Sequence, residues 1–161
     1  MTKKKELKIA GIVTLYNPTD DDIKNISTYI DDIDKLYIVD NTEGSDNKKR
    51  LPRNKKIEYI FKNENLGVAT AMNMGAKKAL KDGYKWLLTM DQDTTFKPGV
   101  MQKMKDVINS RDMKKIGIVT PWHHTKLIDK KPTEEFDDPH DVMTSGNLVN
   151  LEIWKKIGGY K

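Results

Sequence analysis

The chain has no cysteine. A disulfide framework, a thiolate nucleophile and a cysteine-ligated zinc site are therefore excluded, and the composition suits a reducing compartment. Long apolar runs are also missing. The longest stretch without a charge, 65–76, falls far short of the roughly 20 apolar residues that a membrane helix needs. The start, Met1–Lys8, is basic like the head of a signal peptide. The apolar segment behind it, Ile9–Tyr16, is short, contains Thr14 and stops at Asn17-Pro18, so it reads as a first strand. The expectation is a cytoplasmic protein. There is no internal repeat and no low-complexity tract. What remains is a chain of 161 residues, enough for one domain, 1–161, with a core that needs no covalent staple. Charged residues make up 33%, against about 25% in an average domain. The net charge of +5 suits an anionic small ligand or a membrane surface as well as nucleic acid, and by itself selects none of them.

The apolar pattern alternates between two kinds of segment. Ile9–Leu15, Leu36–Val39, Ile57–Phe61, Trp86–Met90 and Ile116–Val119 are short apolar runs, as in strands buried on both faces. Thr19 before Asp20, Asp21 and Asp22 is an N-cap followed by acids, and Ile23, Ile26, Ile30 and Ile33 continue one helical face. Asn65-Leu66-Gly67 opens a second helix with Val68, Ala71, Met72, Gly75, Ala76, Ala79 and Leu80 on one side, closed by Asp82-Gly83. Pro98 starts a third, with Val100, Met101, Met104, Val107 and Ile108 inward. Residues 123–141 read as a long polar surface loop, Val142–Val149 as a strand and Leu151–Ile157 as a short helix. Strands alternating with helices predict an α/β fold: a doubly wound, mostly parallel sheet flanked by helices.

In such a sheet, ligands bind beyond the carboxyl ends of the strands. The polar residues at those ends are Thr14, Tyr16 and Asn17, then Asp40 and Asn41, then Asn65, then Asp91 and Asp93. They come from separate strands and should meet at one edge. Asp91-Gln92-Asp93 places two carboxylates two residues apart after a buried strand. Such hard oxygen ligands suit Mg²⁺ or Mn²⁺ bridging to a diphosphate, although acids at strand ends also cap helices and line turns. Asp40 reads either as a ligand for a base or ribose or as a turn aspartate. Asn65-Leu66-Gly67 lies at a helix N-terminus, a natural anion position, and is equally an ordinary Asn cap. The cluster of Lys48, Lys49, Arg50, Arg53, Lys55 and Lys56 is a solvated loop or a contact for anionic lipid, which would make the protein peripheral to the membrane. His123-His124 lack companions at metal-site spacing and read as a loop pair. The methionines, at helical spacing, read as core.

Taken in order, Thr14-Leu15-Tyr16-Asn17-Pro18, Asp40-Asn41, Asn65-Leu66-Gly67 with Asn73 and Gly75, Asp91-Gln92-Asp93, Ser145-Gly146 and Gly158-Gly159-Tyr160 resemble the family 2 glycosyltransferases, closest to the bacterial rhamnosyltransferase-like members. The resemblance covers roughly the whole chain. It implies a GT-A fold of the nucleotide-diphospho-sugar transferase type. It also implies inverting transfer of a sugar from a nucleoside diphosphate donor to a saccharide or lipid-linked acceptor, in cell-surface polysaccharide synthesis, with no nucleic-acid partner. Carried over, Thr14, Tyr16 and Asp40 hold base and ribose, with Asn17, Asn41, Asn65, Gly67, Asn73 and Gln92 completing the nucleotide site. Asp91 lies against ribose or metal, Asp93 is the main ligand of a Mg²⁺ or Mn²⁺ ion, and Ser145 and Gly146 line the donor sugar or acceptor.

Two departures accompany it. Met72 stands where many members carry an arginine before the helix asparagine. The acidic residues that follow the Gly-Gly-aromatic segment in the family, one of them the general base, have no counterpart before Lys161, so the base is expected beyond this chain, in a longer enzyme. Two other enzyme classes compete. Asp91-Gln92-Asp93-Thr94-Thr95 matches the start of haloacid-dehalogenase-type phosphatases, whose first aspartate is a nucleophile, but there the motif follows the first strand. Nucleotidyltransferases of related architecture carry a glycine-rich basic loop after strand one, which Asn17-Pro18-Thr19-Asp20 is not. A nucleotide-binding fragment without turnover is a third description.

Overall fold

The computed structural model describes residues 6–123 and 142–161. Strands β1 (Ile9–Leu15), β2 (Lys35–Asp40), β3 (Ile57–Phe61) and β4 (Trp86–Asp91) form a parallel array in the order β3-β2-β1-β4. β6 (Asn147–Asn150) runs antiparallel along β4, and the two-residue β5 (Ile118–Val119) runs antiparallel along β6. The doubly wound, mostly parallel α/β architecture expected from the sequence is thus the one that forms.

Helices cover both faces. α1 (Asp20–Asn25) and α3 (Val100–Ser110) lie on one, where Ile23, Met101, Met104 and Ile108 share a core with Val13, Leu15, Leu88 and Met90. α2 (Val68–Lys81) and α4 (Leu151–Ile157) lie on the other, where Ala71, Ala76, Ala79 and Trp154 share a core with Ala10, Ile12, Val39 and Leu87. Alternate residues of β1 and β4 feed the two cores, which is why neither strand shows a polar face. The small face of α2 allows its close approach. A Cβ on Gly75 would lie 2.6 Å from Ile12 Cδ1, so this position accepts glycine alone without a shift. The connection from β1 leads to β2 on one side, while β4 lies on the other. The strand order therefore reverses between β1 and β4, and the switch point beyond their carboxyl ends is where such sheets are expected to form a ligand crevice.

Several local expectations are corrected. The isoleucines 23, 26, 30 and 33 are all buried, but not on one α-helix. α1 ends at Asn25 and gives way to 3₁₀ turns at Ile26–Thr28 and Ile30–Asp32. Ser27 Oγ and Thr28 Oγ1 donate to the carbonyls of Lys24 and Asn25, competing with the helical ladder. The N-cap at Thr19 does form, and the Asp22 side chain completes it as a capping box. Ile116–Val119 is not a buried strand. Only Ile118 and Val119 pair, at the sheet edge, and Ile116 and Ile118 are exposed. The strand read at 142–149 begins only at Asn147, because Gly146 adopts φ 79°, outside the β region. α3 starts after Gly99 rather than at Pro98. Among the methionines, Met72, Met90, Met101 and Met104 are core, whereas Met143 is exposed, as is Val68 on α2. His124 and most of the loop read at 123–141 lie outside the described residues, as do Asp137, Asp138 and Asp141. No helix among the described residues is long and apolar enough to cross a membrane.

Candidate functional site

The floor of the crevice is the Asp91-Gln92-Asp93 turn at the end of β4. A bond from the Thr94 N–H to the Asp91 carbonyl closes it (3.2 Å). The Asp91 N–H donates to Ser145 Oγ (2.8 Å), and that hydroxyl donates onward to Thr94 Oγ1 (2.8 Å). The turn is therefore held by its backbone, and neither carboxylate accepts a hydrogen bond or ion pair from another described residue. Burial pushes the Asp91 carboxyl up from its ordinary value, and the neighbouring charge of Asp93 adds to the shift. A cation would relieve that repulsion. Among the described residues no cluster of three or more metal-ligating side chains exists, and at this turn they bring two carboxylates together. Two carboxylates are donors of the kind that Mg²⁺ takes from proteins.

The wall on one side is the loop after β1. Tyr16 has a half-exposed side chain, and Asn17 adopts φ 45°, a left-handed conformation that asparagine tolerates. The Asn17 N–H donates to Thr42 Oγ1 (2.9 Å), which ties this loop to the one after β2. The Tyr16 backbone is paired to the side chain of Gln92, as described below.

Asp40 requires a correction. It is buried, and its carboxylate faces into the loop rather than the crevice. It accepts from Tyr59 Oη (2.6 Å), Asn47 Nδ2 (2.9 Å) and the N–H groups of Thr42 (2.9 Å) and Asn47 (3.2 Å). Burial alone would push its carboxyl up, but these bonds outweigh it and hold the group below the usual carboxylate range. Asp40 organises the wall. Its neighbour Asn41 is also buried, donates through Nδ2 to the Gly67 carbonyl (3.3 Å), and leaves Oδ1 without a partner. Thr14 Oγ1 is a second buried oxygen without a partner, on β1 beside β2. Buried polar atoms are nearly always paired, so these two oxygens at adjacent strand ends are candidates for contact with a ligand or a bound water.

Other predicted residues have internal duties. Asn65 Oδ1 caps the Gly67 N–H (3.0 Å), and Gly67, at φ 76°, opens α2. Ser145 is buried and braces the Asp91 turn instead of lining an open sugar pocket. Gly146 is packed so closely that a Cβ would meet His123 Cε1 at 3.0 Å. Asn73 is not presented to a nucleotide. Its Nδ2 donates to the Tyr160 carbonyl and its Oδ1 accepts the Tyr160 N–H, both at 2.9 Å. Gln92 is likewise engaged by protein. The basic cluster is partly internal. Arg50 pairs with Asp20 (2.7 Å) and Asn47, while Lys56 Nζ donates to the carbonyls of Ile30 and Asp31.

Comparison with known proteins decides the family. The family model described as glycosyl transferase family 2 matches residues 20–142. The chain belongs to this family. A dTDP-rhamnosyl transferase of Shigella flexneri, RfbF, is 25% identical over 169 residues, which cover 93% of this chain and 56% of that protein. Staphylococcus aureus TarS 1–349 superposes with a TM-score of 0.62 at 13% identity, over 96% of this chain and 50% of TarS. The same protein in complex with UDP-GlcNAc gives 0.65 at 12% identity, over 96% and 48%. A 4-diphosphocytidyl-2C-methyl-D-erythritol synthase of Anaerococcus prevotii gives 0.59 at 16%, over 94% and 73%. At these identities the structures show the fold alone. The chain spans about half the length of RfbF and of the TarS 1–349 chain.

For this family 2 glycosyltransferase domain, the family match displaces the haloacid-dehalogenase reading of Asp91-Gln92-Asp93. Sequence reasoning missed the residues that build the walls: Asp22, Asn25, Thr42, Asn47 and Tyr59. Tyr59 sits on an ordinary strand with nothing local to mark it, because its partner Asp40 is 19 positions away. His123 also gains a tertiary role. It lies against Gly146 and hydrogen-bonds Thr120 Oγ1 (3.2 Å), and burial pushes its imidazole pKa down against an opposing hydrogen bond with Asn147.

Proposed function

We propose that this domain holds the nucleoside diphosphate part of a nucleotide-sugar donor, together with Mg²⁺ or Mn²⁺, in an enzyme that transfers the sugar with inversion to a saccharide or lipid-linked acceptor in cell-surface polysaccharide synthesis. The observation that carries this reading is the convergence of two kinds of unengaged group at the carboxyl edge of the sheet. The buried oxygens Thr14 Oγ1 and Asn41 Oδ1 have no hydrogen-bond partner among the described residues and suit a base or ribose. The carboxylates of Asp91, beside Thr14 on the neighbouring strand, and Asp93 accept nothing from another described residue and suit a cation on a diphosphate. A bound cation would neutralise the leaving diphosphate. The residues of this chain orient the donor: the Asp40 network shapes the base wall, and Ser145 sets the height of the aspartate turn. The rhamnosyl transferase relative makes a deoxyhexose donated from dTDP the first candidate, and the UDP-GlcNAc complex of TarS makes UDP the second.

Calorimetry of dTDP and UDP against the protein, in Mn²⁺ and in chelator, tests the reading. At least one nucleotide should bind about tenfold or more tightly with Mn²⁺, a difference of roughly 1.4 kcal/mol. Equal affinity in both conditions would remove the metal from the site, and no binding of any nucleoside diphosphate would remove the donor.

A further inference from the structure

Gln92 lies between the two aspartates and does not face the crevice with its side chain. Its Oε1 accepts the Tyr16 N–H (2.8 Å), and its Nε2 donates to the Tyr16 carbonyl (3.3 Å) and to Asp22 Oδ2 (3.3 Å). The primary amide thus copies the two-bond pairing of one strand with another, across 76 positions of sequence. The backbone of the same residue is fixed from below, where Asn25 Nδ2 donates to the Gln92 carbonyl (2.9 Å). Asp22 in turn holds the capping box at Thr19 (2.8 Å to the Thr19 N–H). A continuous path of hydrogen bonds therefore runs from the aspartate turn through Gln92 to Tyr16, from Asn17 to Thr42, and from Thr42 to Asp40.

The two halves of the crevice differ in how they are assembled. The base wall is held together without Gln92, through Asn17 on Thr42 and Thr42 and Asn47 on Asp40. The aspartate turn is held without it too, through Ser145. Among the described residues, the direct side-chain link between these halves is the Gln92 amide.

We infer that Gln92 is a positioning residue that registers the nucleoside wall against the cation-binding turn. Resting on the donor reading above, it assigns Gln92 a role other than contact with the nucleotide. A ligand that spans both halves gains from their fixed separation, because the cost of bringing its two ends to two sites has been met by the fold. A ligand that occupies one half gains nothing from it. Loss of Gln92 should therefore weaken a metal-bound nucleoside diphosphate selectively and leave a metal-free nucleoside monophosphate unaffected.

The test uses Gln92→Met, which keeps the length of the side chain without its hydrogen bonds, and Asn25→Ala, which loosens the same turn from the backbone side. The probes are dTDP and UDP in saturating Mn²⁺, followed by calorimetry, and dTMP and UMP in chelator, followed by NMR titration. Gln92→Met should bind its preferred diphosphate about tenfold more weakly, equivalent to roughly 1.4 kcal/mol, and its monophosphate within about twofold of the unmodified chain. Asn25→Ala should move in the same direction by a smaller factor. Equal losses for diphosphate and monophosphate would make Gln92 a nucleotide contact and overturn the inference, as would no loss in either variant. Failure of the unmodified chain to bind either diphosphate would overturn the donor reading itself, and this inference with it.

Discussion

Asn73 on α2 clasps the backbone of Tyr160 by both its N–H and its carbonyl, with 2.9 Å in each direction. The contact fastens the segment after α4 to the helix that opens at Gly67. Tyr160 is packed against the α2 core, and burial raises its hydroxyl pKa to about 12. Asn73→Ala should cost about 1–3 kcal/mol in urea unfolding, since two partly buried backbone groups lose their partner. Amide exchange at Tyr160 should accelerate in the same variant. An unchanged exchange rate would show that other contacts hold this segment.

The Asp40 network sets the pH response of the base wall. Its carboxyl is held below the ordinary value, so the stability it contributes is complete above about pH 4 and is lost as pH falls through the depressed native value. Asp40→Asn supplies an amide that must point one N–H group toward existing donors, so it should lower stability at pH 7 by about 1–3 kcal/mol. Its stability curve should also be flatter than that of the unmodified chain on the acid side. Parallel curves below pH 4 would assign the acid sensitivity to other groups.

Tyr59→Phe removes one hydroxyl from that network while preserving the ring: the hydroxyl donates to Asp40 and accepts the Asn47 N–H (2.9 Å). Removing the donor at 2.6 Å from Asp40 should cost about 1–2 kcal/mol at pH 7. In a double-mutant cycle with Asp40→Asn, the two losses should sum to more than the combined effect. Simple additivity would mean that the two groups do not act on each other.

Gly75→Ala adds a methyl group 2.6–2.9 Å from three atoms of Ile12. Overpacking of this kind should cost about 1–3 kcal/mol, well beyond the helix propensity that alanine gains. Ile12→Val in the same chain should recover part of it. Thermal unfolding of the three variants gives the answer, and a stabilised Gly75→Ala would show that β1 and α2 separate easily.

Ser145→Ala leaves the Asp91 N–H without its partner and Thr94 Oγ1 without the hydroxyl that donates to it. Mn²⁺-dependent affinity for the preferred diphosphate should fall by roughly 3- to 10-fold, because a carboxylate pair holds a cation only as well as its supporting bonds orient it. The metal-free monophosphate serves as the control. A loss confined to the monophosphate would place Ser145 on the nucleoside side instead.

The local chemistry of the chain determined the alternation of β1, β2, β3 and β4 with their helices, the N-cap at Thr19, and the arrival of Asp40, Asn41, Asp91 and Asp93 at strand ends. Apolar runs, turn residues and helical spacing act over a few positions, and such signals can be read directly. The small residues of α2 were legible for the same reason, although the contact of Gly75 with Ile12 was not. Tertiary structure alone decided which of the polar residues remain unengaged. Asp40, Asn73, Gln92 and Ser145 occupy plausible ligand positions in the sequence. In the folded chain each is engaged by another part of the protein, at separations of up to 87 positions. It also decided that β6 lies between β4 and β5, since a two-residue edge strand has too short a pattern to specify its partner. A side chain's type sets what it can bind, but its availability depends on every donor and acceptor that folding brings within about 3 Å of it.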